Sequence, residues 1–156
     1  EGWAFLIEPN KMLERRLEGE MYKSDVLSMR TVNPRIMDLL AMFQYMIGNG
    51  DYSVTGRHNL KILGLRTPGP TGYIPVPYDF DYSGLVAAFY ALPSEHYGLE
   101  NIEDRVYMGP CRPEDTMRGH MKYFLDHKDD FLAEMQKIDF NNGKEKKRTR
   151  RKIHIG

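Results

Sequence analysis

Three oxygen-bearing side chains occupy backbone contexts that a packed core does not require. Asp51 follows the turn-forming sequence Gly48-Asn49-Gly50. Asn59 precedes one apolar run, and Asp79 follows the next one. Carboxylate and amide oxygens suit Mg²⁺, which keeps several waters and takes only one or two carboxylates from a protein. An Asp that orients an acceptor hydroxyl, with an Asn and a second Asp that hold magnesium, is an arrangement used for phosphoryl transfer.

A β-hairpin is predicted to bring all three side chains together, in a common pocket within reach of one shared cation. Leu60–Leu65 and Tyr73–Val76 are apolar, and the turn-type sequence 67–72 (TPGPTG) separates them. Proline and glycine at such positions favour a tight connection between two antiparallel strands. Asn59 and Asp79 are then expected at the same end of the hairpin.

The third side chain, Asp51, follows the clearest predicted helix. Asn33-Pro34 is a typical helix start, because the Asn side chain can cap free amides and Pro suits the first helical position. The residues after it are nearly all apolar, which predicts a helix buried on most sides. It is expected to end at Gly48 and to place Asp51 in an irregular loop.

The remaining sequence predicts an α+β fold that is mainly α. Trp3–Ile7 is interpreted as a short buried strand, followed by a helix from Asn10 that ends before Gly19. Residues 85–112 are interpreted as a long ordered loop with short helical pieces. Pro113 is expected to open one helix that reaches about Ile138. Its inward stripe is predicted to comprise Met117, Met121, Phe124, Leu125, Phe131, Leu132, Met135 and Ile138.

The composition is that of a globular domain of ordinary charge. The chain has 156 residues, which is about one domain, and 22 basic against 22 acidic side chains, which argues against a dedicated polyanion binder. Its single cysteine, Cys111, excludes an internal disulfide. No apolar run reaches the length of a membrane-spanning helix, so we expect a soluble domain.

Residues 144–152 (KEKKRTRRK) concentrate positive charge, with seven Lys or Arg and one Glu. This segment has two interpretations: a solvated, flexible terminus, or a site for an anionic partner. A nucleic-acid partner is disfavoured, because one short run without interleaved aromatic residues is a weak signal.

Two segments resemble the catalytic loop and metal motif of atypical kinases: 48–59 (GNGDYSVTGRHN) and 74–84 (IPVPYDFDYSG). The pattern is similar to spore-coat CotH-type kinases and related uncharacterised bacterial proteins. It resembles HipA-type and phosphatidylinositol-kinase-like enzymes more distantly. The resemblance implies that Asp51 is the catalytic Asp.

The same resemblance assigns the other site residues. Asn59 matches the loop Asn that binds metal and phosphate, and Asp79 matches the metal-binding Asp. Asp81 is a second ligand or the true equivalent of that Asp. His58 lies where related loops often carry a histidine, with a catalytic role or a role in orienting the loop. Apart from the resemblance, Arg105 and Arg112 are each open to two interpretations, a partner for acceptor phosphate or site carboxylates and an ordinary salt bridge.

The resemblance also extends toward the amino terminus. The sequence AFLIEP, followed by a helix, is similar to the hinge between two kinase lobes, so the backbone of Leu6, Ile7 and Glu8 is expected to face an adenine. Residues 1–140 then form the carboxyl-terminal lobe with its hinge strand, and residues 141–156 form a basic flexible tail. The amino-terminal lobe, with its glycine loop and strand lysine, has no counterpart in this sequence.

Two departures from the protein-kinase pattern are visible. Asp51 and Asn59 are eight residues apart, where that pattern has five, so the loop is expected to bulge. Asp79-Phe80-Asp81 carries an aspartate where the usual motif has glycine.

Three functions therefore follow as hypotheses. The first is a phosphotransferase dependent on Mg²⁺ and ATP, with a protein hydroxyl as the default acceptor. The second is a pseudokinase or interaction module without catalysis. The third is a divalent-metal hydrolase that uses Asp79 and Asp81.

Overall fold

The computed structural model describes residues 6–24, 27–66 and 72–137. Within them the fold is α+β, as predicted, with four α-helices and one antiparallel sheet of three strands. The chain divides into two compact units, the first formed by 1–37 and 52–79 and the second by 38–51 and 80–156. In chain order the elements are α1 (Asn10–Arg16), β1 (Gly19–Met21), α2 (Pro34–Ile47), β2 (Leu60–Leu65), β3 (Tyr73–Pro77), α3 (Glu114–Asp126) and α4 (Lys128–Gln136).

The sheet of the first unit confirms the predicted hairpin. Its strand order is β1-β2-β3, and in the β2–β3 pair Leu60 lies opposite Pro77. Pro75 is tolerated because β3 is an edge strand, where a missing amide donor breaks no central ladder. The central strand supplies the buried side chains Ile62 and Leu63. The turn segment 67–71 lies outside the described residues.

The helix predicted from Asn10 is confirmed as α1, and Leu13 on it is buried. The strand predicted for Trp3–Ile7 is wrong in its described part. Leu6 is fully exposed, Ile7 is 44% exposed, and both have irregular backbone. Trp3–Phe5 lies outside the described residues. Apolar composition alone predicted a strand here, but neither Leu6 nor Ile7 pairs with the described sheet.

Helix α2 confirms the predicted cap and the predicted end. The Oδ1 atom of Asn33 accepts a hydrogen bond from the Ile36 amide at 3.1 Å, which satisfies a free donor of the first turn. Most of the helix is buried or half-buried, and Ala41 is fully buried. Gly48 ends it with φ of +66°, a left-handed conformation that glycine adopts without strain.

The predicted ordered loop at 85–112 is confirmed in the second unit, with one short 3₁₀ helix at Glu95–Tyr97. Its start is anchored on the end of α2. The amide of Gly84 donates to the Gly48 carbonyl, and the amide of Leu85 donates to the Ile47 carbonyl, both at 2.9 Å. These bonds satisfy carbonyls that a helix end leaves without a partner.

The single helix predicted from Pro113 to Ile138 is wrong, because the chain forms α3 and α4 with a break at His127. His127 leaves helical geometry at φ −101° and ψ 11°. Its backbone amide and its ring Nδ1 both lie within hydrogen-bonding distance of the Tyr123 carbonyl, at 3.2 and 2.8 Å.

The inward stripe predicted for that helix is also wrong at several positions. Phe124 is buried and stacks on Phe131, with ring centroids 5.7 Å apart. Met121 and Leu125 are about half exposed, and Ile138 lies outside the described residues, as does the tail 141–156.

Among the helices of the described ranges, none combines the length and hydrophobicity that crossing a membrane would require.

Candidate functional site

The open end of the β2–β3 hairpin carries two of the predicted site residues. Asn59 immediately precedes β2, and the Tyr78 amide donates to the Asn59 carbonyl at 3.1 Å, next to Asp79. The hairpin therefore brings the backbones of Asn59 and Asp79 to the same end of the sheet, as predicted. Both belong to the first unit and both are half-buried.

Asn59 and Asp79 share an uncommon backbone conformation. Their φ angles are +53° and +58°, in the left-handed region. Asn and Asp enter that region more easily than most residues with a side chain, yet it still costs free energy relative to ordinary conformations. Non-glycine residues held there cluster at ligand sites, so this geometry marks the hairpin end as a candidate site.

The loop before Asn59 is closed by backbone hydrogen bonds between Ser53 and His58. Each of these residues donates its amide to the carbonyl of the other, at 3.1 and 2.9 Å. The Ser53 hydroxyl oxygen also accepts from the Gly56 amide at 2.9 Å. The longer spacing of the motif is thus taken up by a compact turn, which fixes the direction in which the chain reaches Asn59. His58 itself is exposed.

Asp51 lies in the second unit, where two buried amide side chains fix its backbone. The Asp51 amide donates to Oδ1 of Asn49 at 2.9 Å. In turn, Nδ2 of Asn49 donates to Oε1 of Gln44 at 3.0 Å, and its backbone amide donates to the Gln44 carbonyl. Gln44 is 1% exposed and Asn49 is 2% exposed, so the end of α2 holds this turn rigidly.

Asp51 also lines a cavity of about 290 Å³ within the second unit. Polar and apolar surface contribute almost equally to the wall, with Asp51, Tyr82 and Ser94 as its polar side chains. The remaining lining residues are Gly48, Gly50, Leu92, Pro93, Leu99 and Ile102. A concave site with a few convergent polar groups is a candidate for binding a small molecule or a side chain.

Asp81, also in the second unit, is held by its neighbours. Its Oδ1 accepts from the Tyr82 amide at 3.0 Å, and its Oδ2 accepts from the Tyr90 hydroxyl at 2.9 Å. These bonds orient the carboxylate toward the aromatic residues that follow it. The predicted pair Asp79 and Asp81 therefore consists of two carboxylates in different units with different surroundings.

The predicted hinge residues have protein partners of their own. The Glu8 carbonyl accepts from Nζ of Lys61 at 2.6 Å. The Glu8 carboxylate pairs with Arg16 at 2.7 Å, and this hydrogen bond holds the pKa of Glu8 below its usual value. Leu6 and Ile7 are exposed, and the binding of adenine by the three residues stays a prediction.

A buried cluster in the second unit was missed by the sequence analysis. Asp38, in the middle of α2, is 3% exposed. Nε of Arg112 lies 2.9 and 3.0 Å from its two carboxylate oxygens, and Nε2 of His120 lies 3.1 Å from Oδ2. Of the two interpretations of Arg112, the structure shows the salt bridge. The available signal was an acidic residue inside a largely apolar helix.

Burial also affects Tyr107, which lies near this cluster. Loss of solvent raises the pKa of the Tyr107 phenol, and the Asp38 charge acts in the same direction. The Tyr107 hydroxyl points to the Pro110 carbonyl at 3.5 Å, a distance too long for a strong hydrogen bond.

Comparisons with known proteins identify no relative of this chain. No family model, curated protein or solved structure matches it. Across residues 6–24, 27–66 and 72–137, no group of three or more His, Cys, Asp and Glu side chains is arranged to hold a metal ion. The candidate residues are therefore interpreted from the geometry of each unit by itself, Asn59 and Asp79 in the first and Asp51 in the second.

Proposed function

We propose that this chain carries the metal-binding and acceptor-binding part of a phosphotransferase dependent on Mg²⁺ and ATP. The observation that carries the proposal is the pair Asn59 and Asp79, which share one end of a hairpin and a left-handed backbone. Non-glycine residues held in this conformation cluster at functional sites, and these two are polar residues at one end of one hairpin.

The donor set fits magnesium. Asn59 and Asp79 offer amide and carboxylate oxygens, and Mg²⁺ takes one or two carboxylates from a protein and fills other positions with water and phosphate oxygens. Magnesium supplies neutralisation of charge on the nucleotide phosphates when it is bound. Of the two candidate carboxylates, we take Asp79 as the principal ligand, because it shares the hairpin end with Asn59, whereas Asp81 belongs to the second unit.

We assign to Asp51 the role of binding the acceptor hydroxyl. Its backbone is fixed by Asn49, and its side chain is part of the wall of the 290 Å³ cavity. A carboxylate at such a cavity can orient an acceptor hydroxyl and take its proton. The acceptor class from the sequence analysis, a protein hydroxyl, remains the default, and the backbone of Leu6, Ile7 and Glu8 remains the proposed adenine contact.

Thermal shift of the full chain tests metal and nucleotide binding. We expect Mg²⁺ and ATP together to raise the melting temperature by about 5–10 °C at a hundred times the dissociation constant. Asp79→Asn should lose most of this joint shift, because Asn tolerates the left-handed backbone but lacks the charge. Asp129→Asn, at an exposed position of α4, is the matched control and should keep it.

Transfer of the labelled γ-phosphate of ATP to a mixture of proteins, supplied as acceptors, tests catalysis. Asp51→Asn should keep the joint thermal shift and lower the transfer rate by about 10²–10⁴, the range for removal of a general base. A wild-type chain whose melting temperature responds to neither ligand would end the proposal.

One observation favours a second function, that of an interaction module. In the second unit, Phe89 is 99% exposed and its ring contacts that of Tyr90, which is 48% exposed, with centroids 5.1 Å apart. Exposed apolar side chains that lie together mark binding surfaces for other proteins. Absence of any response to Mg²⁺ and ATP, in a chain that remains folded, would support this alternative.

A further inference from the structure

Three exposed aromatic rings and one carboxylate, here called the ring cluster, lie together in the second unit: Tyr82, Phe89, Tyr90 and Asp81. The planes of the Phe89 and Tyr90 rings meet at 80°, and those of Tyr82 and Tyr90 meet at 55° with centroids 6.0 Å apart. Asp81 accepts hydrogen bonds from the Tyr90 hydroxyl and the Tyr82 amide. The rings therefore stand at steep angles to one another and bound a corner beside the carboxylate.

The charges of the ring cluster suit a cation. The face of an aromatic ring is electron-rich and attracts ammonium and guanidinium groups. The Asp81 carboxylate is one hydrogen bond from the rim of the Tyr90 ring, so it lies within the Debye length of about 8–10 Å of a cation on that ring. Residues 80–104 contain no Lys or Arg, so this segment supplies no such cation itself.

The cavity next to the ring cluster has charge of the same sign. Tyr82 belongs to both, and the cavity is also lined by Asp51. None of its lining residues in the described ranges is a Lys, Arg or His. A ligand that lies against Tyr82 therefore meets carboxylates on the cavity side and on the ring side, which favours a cation over an anion.

The kind of cation follows from the hydrogen bonds. Both Asp81 oxygens already accept one hydrogen bond each. A lysine ammonium brings three N–H donors that need acceptors, and ring faces accept hydrogen bonds only weakly. A trimethylammonium group brings no donor, and its methyl groups can pack against ring faces. Choline and methylated lysine are the ligands for which proteins typically use aromatic rings in this way.

We propose that the ring cluster binds a methylated ammonium group, which lies against the rings of Phe89 and Tyr90 and is neutralised by Asp81. The same group occurs on small molecules such as choline and on methylated lysine side chains of proteins. This inference concerns binding alone, and it depends neither on Mg²⁺ nor on phosphoryl transfer.

Titration of the full chain with choline, in the absence of Mg²⁺ and ATP, tests the proposal. Saturation-transfer NMR with irradiation of the aromatic protons should show transfer to the N-methyl protons of choline. The matched control ligand is dimethylbutanol, the neutral analogue of choline in which a carbon atom replaces the nitrogen. It should bind at least about threefold more weakly, because it keeps the shape and loses the charge.

Three variants locate the binding site. Phe89→Leu should raise the dissociation constant of choline about two- to fivefold, the factor that corresponds to one exposed cation–π contact. Since Phe89 is almost fully exposed, this variant should fold normally. Asp81→Asn should weaken binding by a similar factor because the charge is lost. Tyr97→Leu is the matched control, since Tyr97 is an exposed ring of the same unit that contacts His96, and it should bind choline as the wild type does.

Two peptides that differ only in the methylation of one lysine distinguish the sources of the group. If the trimethyl-lysine peptide binds more tightly than choline, the ligand is a protein side chain. If choline binds at least as tightly, the ligand is a small molecule.

Four results would overturn the proposal. The first is that neither choline nor the trimethyl-lysine peptide binds. The second is equal binding of choline and dimethylbutanol, which would show apolar contact alone. The third is equal binding of the two peptides, which would show an ordinary charge pair. The fourth is choline binding that Phe89→Leu and Asp81→Asn both leave unchanged, which would place the site elsewhere.

Discussion

Replacement of Asp38 by alanine tests whether the buried cluster organises the second unit. The Asp38 side chain is 4% exposed and is paired with Arg112 and His120, whose side chains are 29% and 17% exposed. In chain order these three residues belong to α2, the end of the long loop, and α3. Loss of the carboxylate leaves two partly buried cationic or polar groups without their acceptor.

The size of the effect follows from burial. Removing one member of a buried ion pair typically costs about 3–5 kcal/mol, because the other charge stays desolvated. Arg112 and His120 can regain part of their water, so we expect about 2–4 kcal/mol for Asp38→Ala. That corresponds to a melting temperature lower by about 5–12 °C for a chain of this length.

An exposed pair provides the control. Glu114 and Arg118 are one turn apart on α3, with side chains 75% and 72% exposed. Such pairs contribute about 0.3–0.5 kcal/mol, so Glu114→Ala should change stability little. Urea unfolding followed by far-ultraviolet circular dichroism measures both variants, and the urea dependence should be unchanged. A loss below about 1 kcal/mol for Asp38→Ala would refute the reasoning.

Four further substitutions probe other parts of the fold. Gly84→Ala should destabilise the folded chain by about 1–3 kcal/mol, because the new Cβ would lie 2.7 Å from the Ile102 carbonyl oxygen. Gly119→Ala, on the open surface of α3, should stabilise the folded chain by about 0.5–1 kcal/mol in the same urea assay. Tyr107→Phe should weaken the loss of stability above about pH 10. Burial raises the folded-state pKa of the Tyr107 phenol. The neutral phenol therefore contributes fully to folding stability below its unfolded-state pKa, and this contribution is lost as the pH rises through the folded-state pKa. Asn33→Ala should lower the melting temperature by the equivalent of about 1 kcal/mol, because the cap of α2 is lost, and a variant as stable as the wild type would show that the cap contributes nothing.

The predictable parts of the fold are those encoded locally. The start of α2 follows from Asn33 and Pro34, and the hairpin follows from two apolar runs around a proline-glycine turn. Both signals act between residues close in sequence. The three-residue strand β1 was missed because its pairing with β2 joins Gly19 to Leu65, and three residues carry no periodicity. The break at His127 was missed because histidine is not a helix breaker.

The functional residues also divide into those that the local sequence predicts and those that it does not. Asn59 and Asp79 could be placed together from the hairpin alone, because the ends of paired strands must meet. The cluster of Asp38 with Arg112 and His120 could not be predicted, because these two residues lie 74 and 82 residues away from Asp38 in sequence. Nothing local specifies which distant cation an isolated acid in a helix will meet.

The left-handed backbone of Asp79 separates its two possible roles. If the residue serves only the turn, Asp79→Gly should be neutral or stabilising by up to about 1 kcal/mol, because glycine adopts this φ without strain, and it should leave ligand responses intact. If the carboxylate binds magnesium, the same variant should be at least as stable and yet lose the joint thermal shift with Mg²⁺ and ATP. Asn59→Gly should behave in parallel, whereas Ala87→Gly, at another left-handed position, should change stability alone. If Asp79→Gly keeps the joint thermal shift with Mg²⁺ and ATP, the Asp79 carboxylate does not bind the metal. This conclusion holds because stability and ligand response are measured on the same folded protein.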